Sequence, residues 1–151
     1  MSIKTYIIDG NNLIGKIKRL SHLQKKDKQT SRDQLSFMLD RYFRKTKVKV
    51  SLHLDGFENT PIGTGKIKIK YSGNQPADNL IKKEIENSKN PKLLTVISSD
   101  GSILGFAKAC SCETIKSEVF AKELSRKDDN ESEEKIIKSI DEDEIKKLFG
   151  V

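Results

Sequence analysis

The chain contains no tryptophan, only three Tyr and six Phe among its 151 residues. So few aromatic rings argue against a broad stacking platform for nucleic-acid bases. Its two cysteines, Cys110 and Cys112, sit two apart. They form no disulfide framework, and no second pair completes a zinc site. No apolar run reaches the roughly 18 residues that a membrane span needs. Near the N-terminus Tyr6-Ile7-Ile8 stops at Asp9, too short for a signal-peptide core. These absences lead us to expect a soluble, reduced, cytoplasmic protein with no membrane partner.

What the chain does carry is charge. Hydrophobic and charged residues each make up 34%, and 29 Lys and Arg against 22 Asp and Glu give a net charge of +7 and a pI near 9.3. That balance favours a polyanionic partner, though weakly on its own. The distribution is uneven. Lys16 to Lys49 holds twelve basic and three acidic residues, a local net of +9. Asp128 to Glu144 holds nine acidic and two basic residues, a local net of −7, and reads as a solvated face or as an electrostatic cover over the basic surface. The length suits one domain. Ser125 to Ser132 lacks any large apolar residue and reads as a linker. The expected organisation is therefore a domain over 1–124, a charged linker over 125–135, and a C-terminal helix over 136–151. In that last stretch Ile136, Ile137, Ile140, Ile145, Leu148 and Phe149 recur at helical spacing.

Along the chain strands alternate with helices. Thr5 to Ile8 is a short apolar run that ends in the turn Asp9-Gly10-Asn11-Asn12. Leu13 to Leu20 starts a helix, and Gln24 to Thr30 reads as a flexible basic loop. Ser31 and Gln34 read as a capping box for a helix whose apolar stripe is Leu35, Met38, Leu39, Tyr42 and Phe43, with Arg32, Arg41, Arg44 and Lys45 outside it. Val48, Val50, Leu52 and Leu54 alternate with polar residues, a strand in which His53 is expected to face solvent. His22, beside the basic loop, carries little signal. Ile67, Ile69 and Tyr71 alternate with Lys66, Lys68 and Lys70, a strand with one wet, basic face near a sheet edge. Pro76 opens a helix, Leu93 to Ile97 is a buried strand, and a helix runs through Ile103, Phe106, Ala107 and Cys110. Glu113 to Ile115 is a brief strand, after which Ser117 caps a last helix. Strands separated by helices of this length pair in parallel through right-handed crossovers. The expected fold is a three-layer α/β/α sandwich around a mostly parallel sheet of about five strands.

Ligand sites in such sheets lie beyond the carboxyl ends of the strands. Asp9, Asp55 and Asp100 each follow a strand, and Asp78 sits in the first turn of a helix starting at the same rim. Each taken alone could be a helix cap or a favourable first-turn acid. Together they call for a counter-charge, since two carboxylates about 5 Å apart repel by roughly 3 kcal/mol at an effective dielectric near 20. Hard oxygen ligands of this kind suit Mg²⁺ or Mn²⁺, which can activate water and stabilise the charge that develops in phosphodiester cleavage.

The ordered motifs Tyr6-Ile7-Ile8-Asp9-Gly10-Asn11-Asn12, Leu52-His53-Leu54-Asp55-Gly56, Ala77-Asp78-Asn79-Leu80-Ile81 and Val96-Ile97-Ser98-Ser99-Asp100 resemble the NYN domain group, a branch of the PIN-like nucleases. The resemblance is to its YacP-like subgroup, which pairs an opening "DGxN" with a "TADxxI"-like helix start, an "SSD" strand end and a late "SxEF"-like helix cap. Ser117-Glu118-Val119-Phe120 is loosely similar to the last of these. The resemblance implies a metal-dependent endoribonuclease with Asp9, Asp78 and Asp100 as metal-binding acids, Asn12 as the polar residue beside them, and Mg²⁺ or Mn²⁺ as cofactor. It extends to ribosome-associated mRNA as a substrate. Asp55 and Glu118 are possible additional acids. Lys16, Lys18, Arg19, Lys25, Lys26 and Lys28 follow the first acidic turn and could hold an RNA backbone. The chain departs from the family pattern at Asn79, where members often carry a second acid, and at Gly101-Ser102-Ile103-Leu104, where some carry another. The alternative is a catalytically weak or inactive RNA-binding module with the same fold. A phosphoacceptor signalling domain is disfavoured, because Gly10 stands where such domains place the second acid of a pair.

Overall fold

The computed structural model describes residues 3–129. Five parallel strands form one sheet in the order β3-β2-β1-β4-β5. They are β1 (Thr5–Asp9), β2 (Lys49–Leu54), β3 (Ile67–Tyr71), β4 (Leu94–Ile97) and β5 (Glu113–Ile115). The helices are α1 (Gly10–Lys16), α2 (Lys18–Lys26), α3 (Lys28–Phe43), α4 (Ala77–Glu86) and α5 (Gly101–Ala109). A last helix, α6, is formed by residues 117–129. The expected three-layer α/β sandwich is thus the observed architecture, with every strand pair parallel. β3 is an edge strand, as its lysine-bearing face implied.

Alternation along the strands builds two cores. Ile8, Val50, Leu52, Leu54, Ile67 and Ile97 face α1, α2, α3 and α6, whose Leu13, Leu20, Leu35, Leu39, Phe43, Phe120 and Leu124 complete the larger one. Ile7, Leu94 and Val96 face α4 and α5, where Ile81, Ile85, Ile103 and Ala107 close the smaller one. Each fully buried Leu or Ile contributes on the order of 1.5–3 kcal/mol. Among the described residues no helix is long and apolar enough to cross a membrane.

Local expectations needed correction in five places. The basic stretch Gln24 to Thr30 is not a loop: α2 runs to Lys26 and α3 starts at Lys28, with Asp27 alone between them. Asp27, not Ser31, is the cap of α3. Its carboxylate accepts from the Thr30 N–H at 3.1 Å and from the Thr30 hydroxyl at 2.6 Å, and the hydroxyl in particular holds the carboxyl below its ordinary range. Ser31 is instead buried and donates to the Leu20 carbonyl at 3.2 Å, so a residue that reads as a cap ties two helices together. Ser117 makes no cap either, for its hydroxyl is buried without a hydrogen-bond partner. The expected linker begins as helix, since residues 125–129 continue α6. There Asp128 pairs with Arg41, and the Lys127 ammonium lies 4.5 Å from the centre of the Tyr42 ring. The rest of that linker and the expected helix over 136–151 lie outside the described residues.

His53 is the fifth correction. It is 2% exposed, because the polar face of β2 is covered by α4 rather than by water. Its Nε2 lies 2.8 Å from Glu84 Oε1, which also accepts from Lys70 at 2.8 Å, while Ser51 donates to Glu84 Oε2 at 2.9 Å. Burial alone would raise the Glu84 carboxyl, but the His53 and Lys70 hydrogen bonds and the Lys70 charge outweigh it and bring the pKa down to about 2.

Candidate active site

The strand order reverses between β1 and β4, and this switch point is where sheets of this kind bind ligands. β1 ends at Asp9 and the chain turns directly into α1. Gly10 makes that turn possible. A β-carbon there would lie 2.6 Å from the His53 carbonyl oxygen and 2.7 Å from Leu54 Cδ2, so only glycine lets α1 start this close to β2.

Asp9 sits in the floor of the switch point. Desolvation by burial raises its carboxyl above the ordinary value, and the charges of Asp55 and Asp100 add to that rise. The Ser98 hydroxyl, donated to Asp9 Oδ2 at 2.9 Å, and the backbone at Asn12 pull the other way. Ser98 Oγ also accepts from the Asp100 N–H at 3.1 Å, so one buried hydroxyl joins the ends of β1 and β4. Asp100 caps α5 through Oδ1, which accepts from the Ser102 N–H at 2.8 Å and the Ile103 N–H at 3.3 Å. Both bonds use the same oxygen and leave Oδ2 for a ligand.

Two asparagines lock this arrangement. Asn11 Oδ1 accepts from the Asp55 N–H at 2.9 Å, and Asn12 Oδ1 accepts from the Ser99 N–H at 2.9 Å. The first turn of α1 therefore ties β1 to the ends of both neighbours. Asp55 itself caps a helix at a distance. Pro76 leaves the N-terminus of α4 without a side-chain cap, and Asp55 Oδ1 accepts from the Ala77 N–H at 3.0 Å. Beneath this turn lies Arg32, 3% exposed. It donates to the Asp55 carbonyl and, at 3.1 Å, to the Phe57 carbonyl, and its guanidinium lies 5.5 Å from the centre of the Tyr71 ring.

Glu118 joins the rim from α6. Its carboxylate accepts from the Ser99 hydroxyl, which holds its pKa below the ordinary range, with help from Lys16 and Lys116. Asp78 lies apart. The charges acting on Asp9 come from Asp55 and Asp100, while Asp78 Oδ2 is 3.8 Å from Lys82 Nζ, which donates to Ser102 Oγ at 2.6 Å. Among the described residues, no three His, Cys, Asp or Glu side chains gather closely enough to hold a metal ion by themselves. Lys16, Lys18, Arg19, Lys25, Lys26 and Lys28 are all exposed on α1, α2 and the start of α3.

The structure thus brings Asp9, Asp55 and Asp100 into one electrostatic cluster, links Asn12 and Glu118 to it through Ser99, and anchors the helix start that carries Asp78 to Asp55 through the Ala77 N–H. Sequence reasoning missed Asn11, Ser98 and Arg32 as site-building residues. Asn11 and Ser98 were present in the quoted motifs, but their role as cross-strand ties needs the sheet order.

A parallel sheet ordered 3-2-1-4-5 with carboxylates at the ends of its central strands is the architecture expected of a PIN-like domain. The YacP-like NYN domain model matches residues 6–148, and the chain belongs to that family. The crystal structure of Rae1 (YacP) from Bacillus subtilis is similar at a TM-score of 0.67 and 20% identity, covering 99% of this chain and 92% of that one. A W164L mutant of the same Bacillus subtilis protein gives a TM-score of 0.66 at 19% identity, over 82% of this chain and 77% of that one. At this identity the likeness is one of fold. Comparison with curated proteins finds no match.

Proposed function

We propose that this chain is a cytoplasmic, Mg²⁺- or Mn²⁺-dependent endoribonuclease whose site is the Asp9–Ser98–Asp100 edge. One observation carries the reading: a mostly buried carboxyl, Asp9, is held at the switch point in the field of both Asp55 and Asp100. A fold keeps such a grouping at a cost that a bound cation relieves. The available donors are carboxylate oxygens, the ligands that hard divalent cations prefer. With no nest of three acids among the described residues, the fit is to the Mg²⁺ habit of one or two carboxylates, several waters and the substrate phosphate. Asp9 and Asp100 would hold the ion, with Asp78 the third acid of the expected set. When bound, the ion supplies Lewis acidity toward the phosphate and a water of lowered pKa.

The chain's own residues do the rest. Ser98 fixes the orientation of Asp9 by occupying Oδ2. Asn12 has its carbonyl oxygen committed to Ser99 and so offers its NH₂ group as a donor to a phosphate oxygen. Lys16, Lys18, Arg19, Lys25, Lys26 and Lys28 hold the RNA backbone, which makes binding steeply salt-dependent. The family relation makes ribosome-associated mRNA the substrate to test alongside free RNA.

The test is cleavage of a labelled, mixed-sequence single-stranded RNA by wild type and by Asp100→Asn, each with Mn²⁺, Mg²⁺ or EDTA. Asn is as good a helix cap as Asp, so the variant keeps α5 and removes only the charge. Cleavage by wild type alone, abolished by EDTA, supports the reading, and equal cleavage by both proteins sinks the assigned site. The pairing of Asp78 with Lys82 favours a second reading, an RNA-binding module without catalysis. That reading requires equal, salt-sensitive binding by both proteins and no cleavage with any metal.

A further inference from the structure

The turn that carries Asp55 also carries Phe57, and 64% of Phe57 is exposed. Its backbone is fixed from two sides while its ring faces water. Gly56 and Gly73 both have positive φ, 81° and 68°, and form a bridge in which the Gly73 N–H donates to the Gly56 carbonyl at 2.8 Å. The Phe57 ring lies against Gly73, where a β-carbon would sit 3.6 Å from the ring edge. The Phe57 carbonyl is gripped from beneath by the buried Arg32, and further along the turn the Thr60 N–H donates to Gln29 at 3.3 Å. A buried guanidinium is an expensive clamp for a surface turn, and here it fixes both Asp55 and the aromatic two residues on.

The geometry points to Phe57 as a nucleobase subsite at the edge of the carboxylate cluster, one that takes an unpaired base of single-stranded RNA by stacking. This inference rests on the reading of the site as a ribonuclease and deepens it by naming the form of the substrate. A pre-positioned ring meets a base face at little ordering cost, and only an unpaired base offers that face. The net charge of +7 favours a polyanion, and the turn is tied through Thr60 to Gln29, next to Lys28 in the basic stretch Lys16 to Lys49. The scarcity of aromatics in the chain excludes a broad platform, but a single subsite needs one ring.

The experiment measures binding of a fluorescent single-stranded RNA 12-mer in EDTA, and cleavage of the same RNA with Mn²⁺, for wild type, Phe57→Ala, Phe57→Leu and Phe57→Tyr. A duplex of the same sequence is the control ligand, and thermal melting checks the fold of each variant. Stacking predicts that Phe57→Ala and Phe57→Leu weaken single-strand binding roughly tenfold and raise KM with kcat little changed, while Phe57→Tyr restores both. Duplex binding stays the same for all four proteins. Wild-type cleavage with all variants binding alike overturns the subsite and leaves the ribonuclease reading standing. A leucine as good as phenylalanine overturns stacking in favour of mere apolar contact. Failure of wild type to bind or cleave any RNA removes the ribonuclease reading, and the subsite with it.

Discussion

Replacing Glu84 by glutamine isolates the charge of one half-buried group. The side chain keeps its size, and its amide oxygen can still accept from Ser51, so the change removes the ionic share of the His53–Glu84–Lys70 network. A carboxyl that moves from 4.5 when unfolded to about 2 when folded carries about 3 kcal/mol of stability at ~1.4 kcal/mol per pH unit. Lys70 is 33% exposed and Glu84 20%, so solvent screening trims the expected cost of Glu84→Gln to about 2 kcal/mol at pH 7. In a chain of this length that lowers Tm by roughly 4–8 °C. The sign of the pH dependence follows from a depressed acid. Its stabilisation is complete above the unfolded value of 4.5 and disappears as pH falls through the folded value of about 2. Urea unfolding of both proteins at pH 7 and at pH 3 reads the difference, which should shrink by more than half at the lower pH. An equal cost at both values would show that Glu84 acts by shape and neutral hydrogen bonding, and would refute the argument from charge.

Three other substitutions probe the site and its supports. Gly10→Ala should cost about 1–3 kcal/mol in urea unfolding despite the better helix propensity of alanine, because its β-carbon collides with the His53 carbonyl and with Leu54. Wild-type stability in that variant would mean that α1 can retreat from β2. Asp9→Asn should abolish metal-dependent cleavage and yet raise stability at pH 7. Burial and the neighbouring acids push the Asp9 carboxyl up, so its charged form opposes folding above the raised value and exacts nothing below 3.8. Thermal melts across pH 3 to 8 check that sign. Lys25→Ala and Lys26→Ala should each lower the slope of log affinity against log salt for single-stranded RNA by about 0.7, a change read by anisotropy titrations at several salt concentrations.

The fold was legible because its information is local. Alternation in β2 and β3, the apolar run of β4 and the stripe on α3 each announce an element within a few residues. Carboxylates after β1, β2 and β4 announce the rim. The parts that escaped reading are polar residues whose partners lie far along the chain. His53 looks solvent-facing until Glu84, 31 residues on, is known to cover it. Arg32 lies outside the apolar stripe of its helix, yet it is buried because the carbonyls of Asp55 and Phe57 stand above it, 23 and 25 residues away. Ser31 has the sequence signature of a cap, and only the packing of α2 against α3 turns it inward. Asp78 shows the converse: its position in the first turn of α4 and its i,i+4 spacing to Lys82 are both readable locally, and the pair forms.

The placement of β1 has a consequence for how the protein comes into being. β1, made before the other four strands of the sheet, occupies its middle, and its second neighbour, paired Thr5 to Leu94, is made some ninety residues later. Until then the central strand has one bare edge, and the hydroxyl of Ser98 is not yet there to orient Asp9. Pairings of such sequence separation close slowly. No truncated or half-made chain that ends before β4 can contain the carboxylate cluster. The candidate site is thereby assembled late, and a site that holds Asp9, Ser98 and Asp100 together certifies that the sheet has closed from β1 to β4.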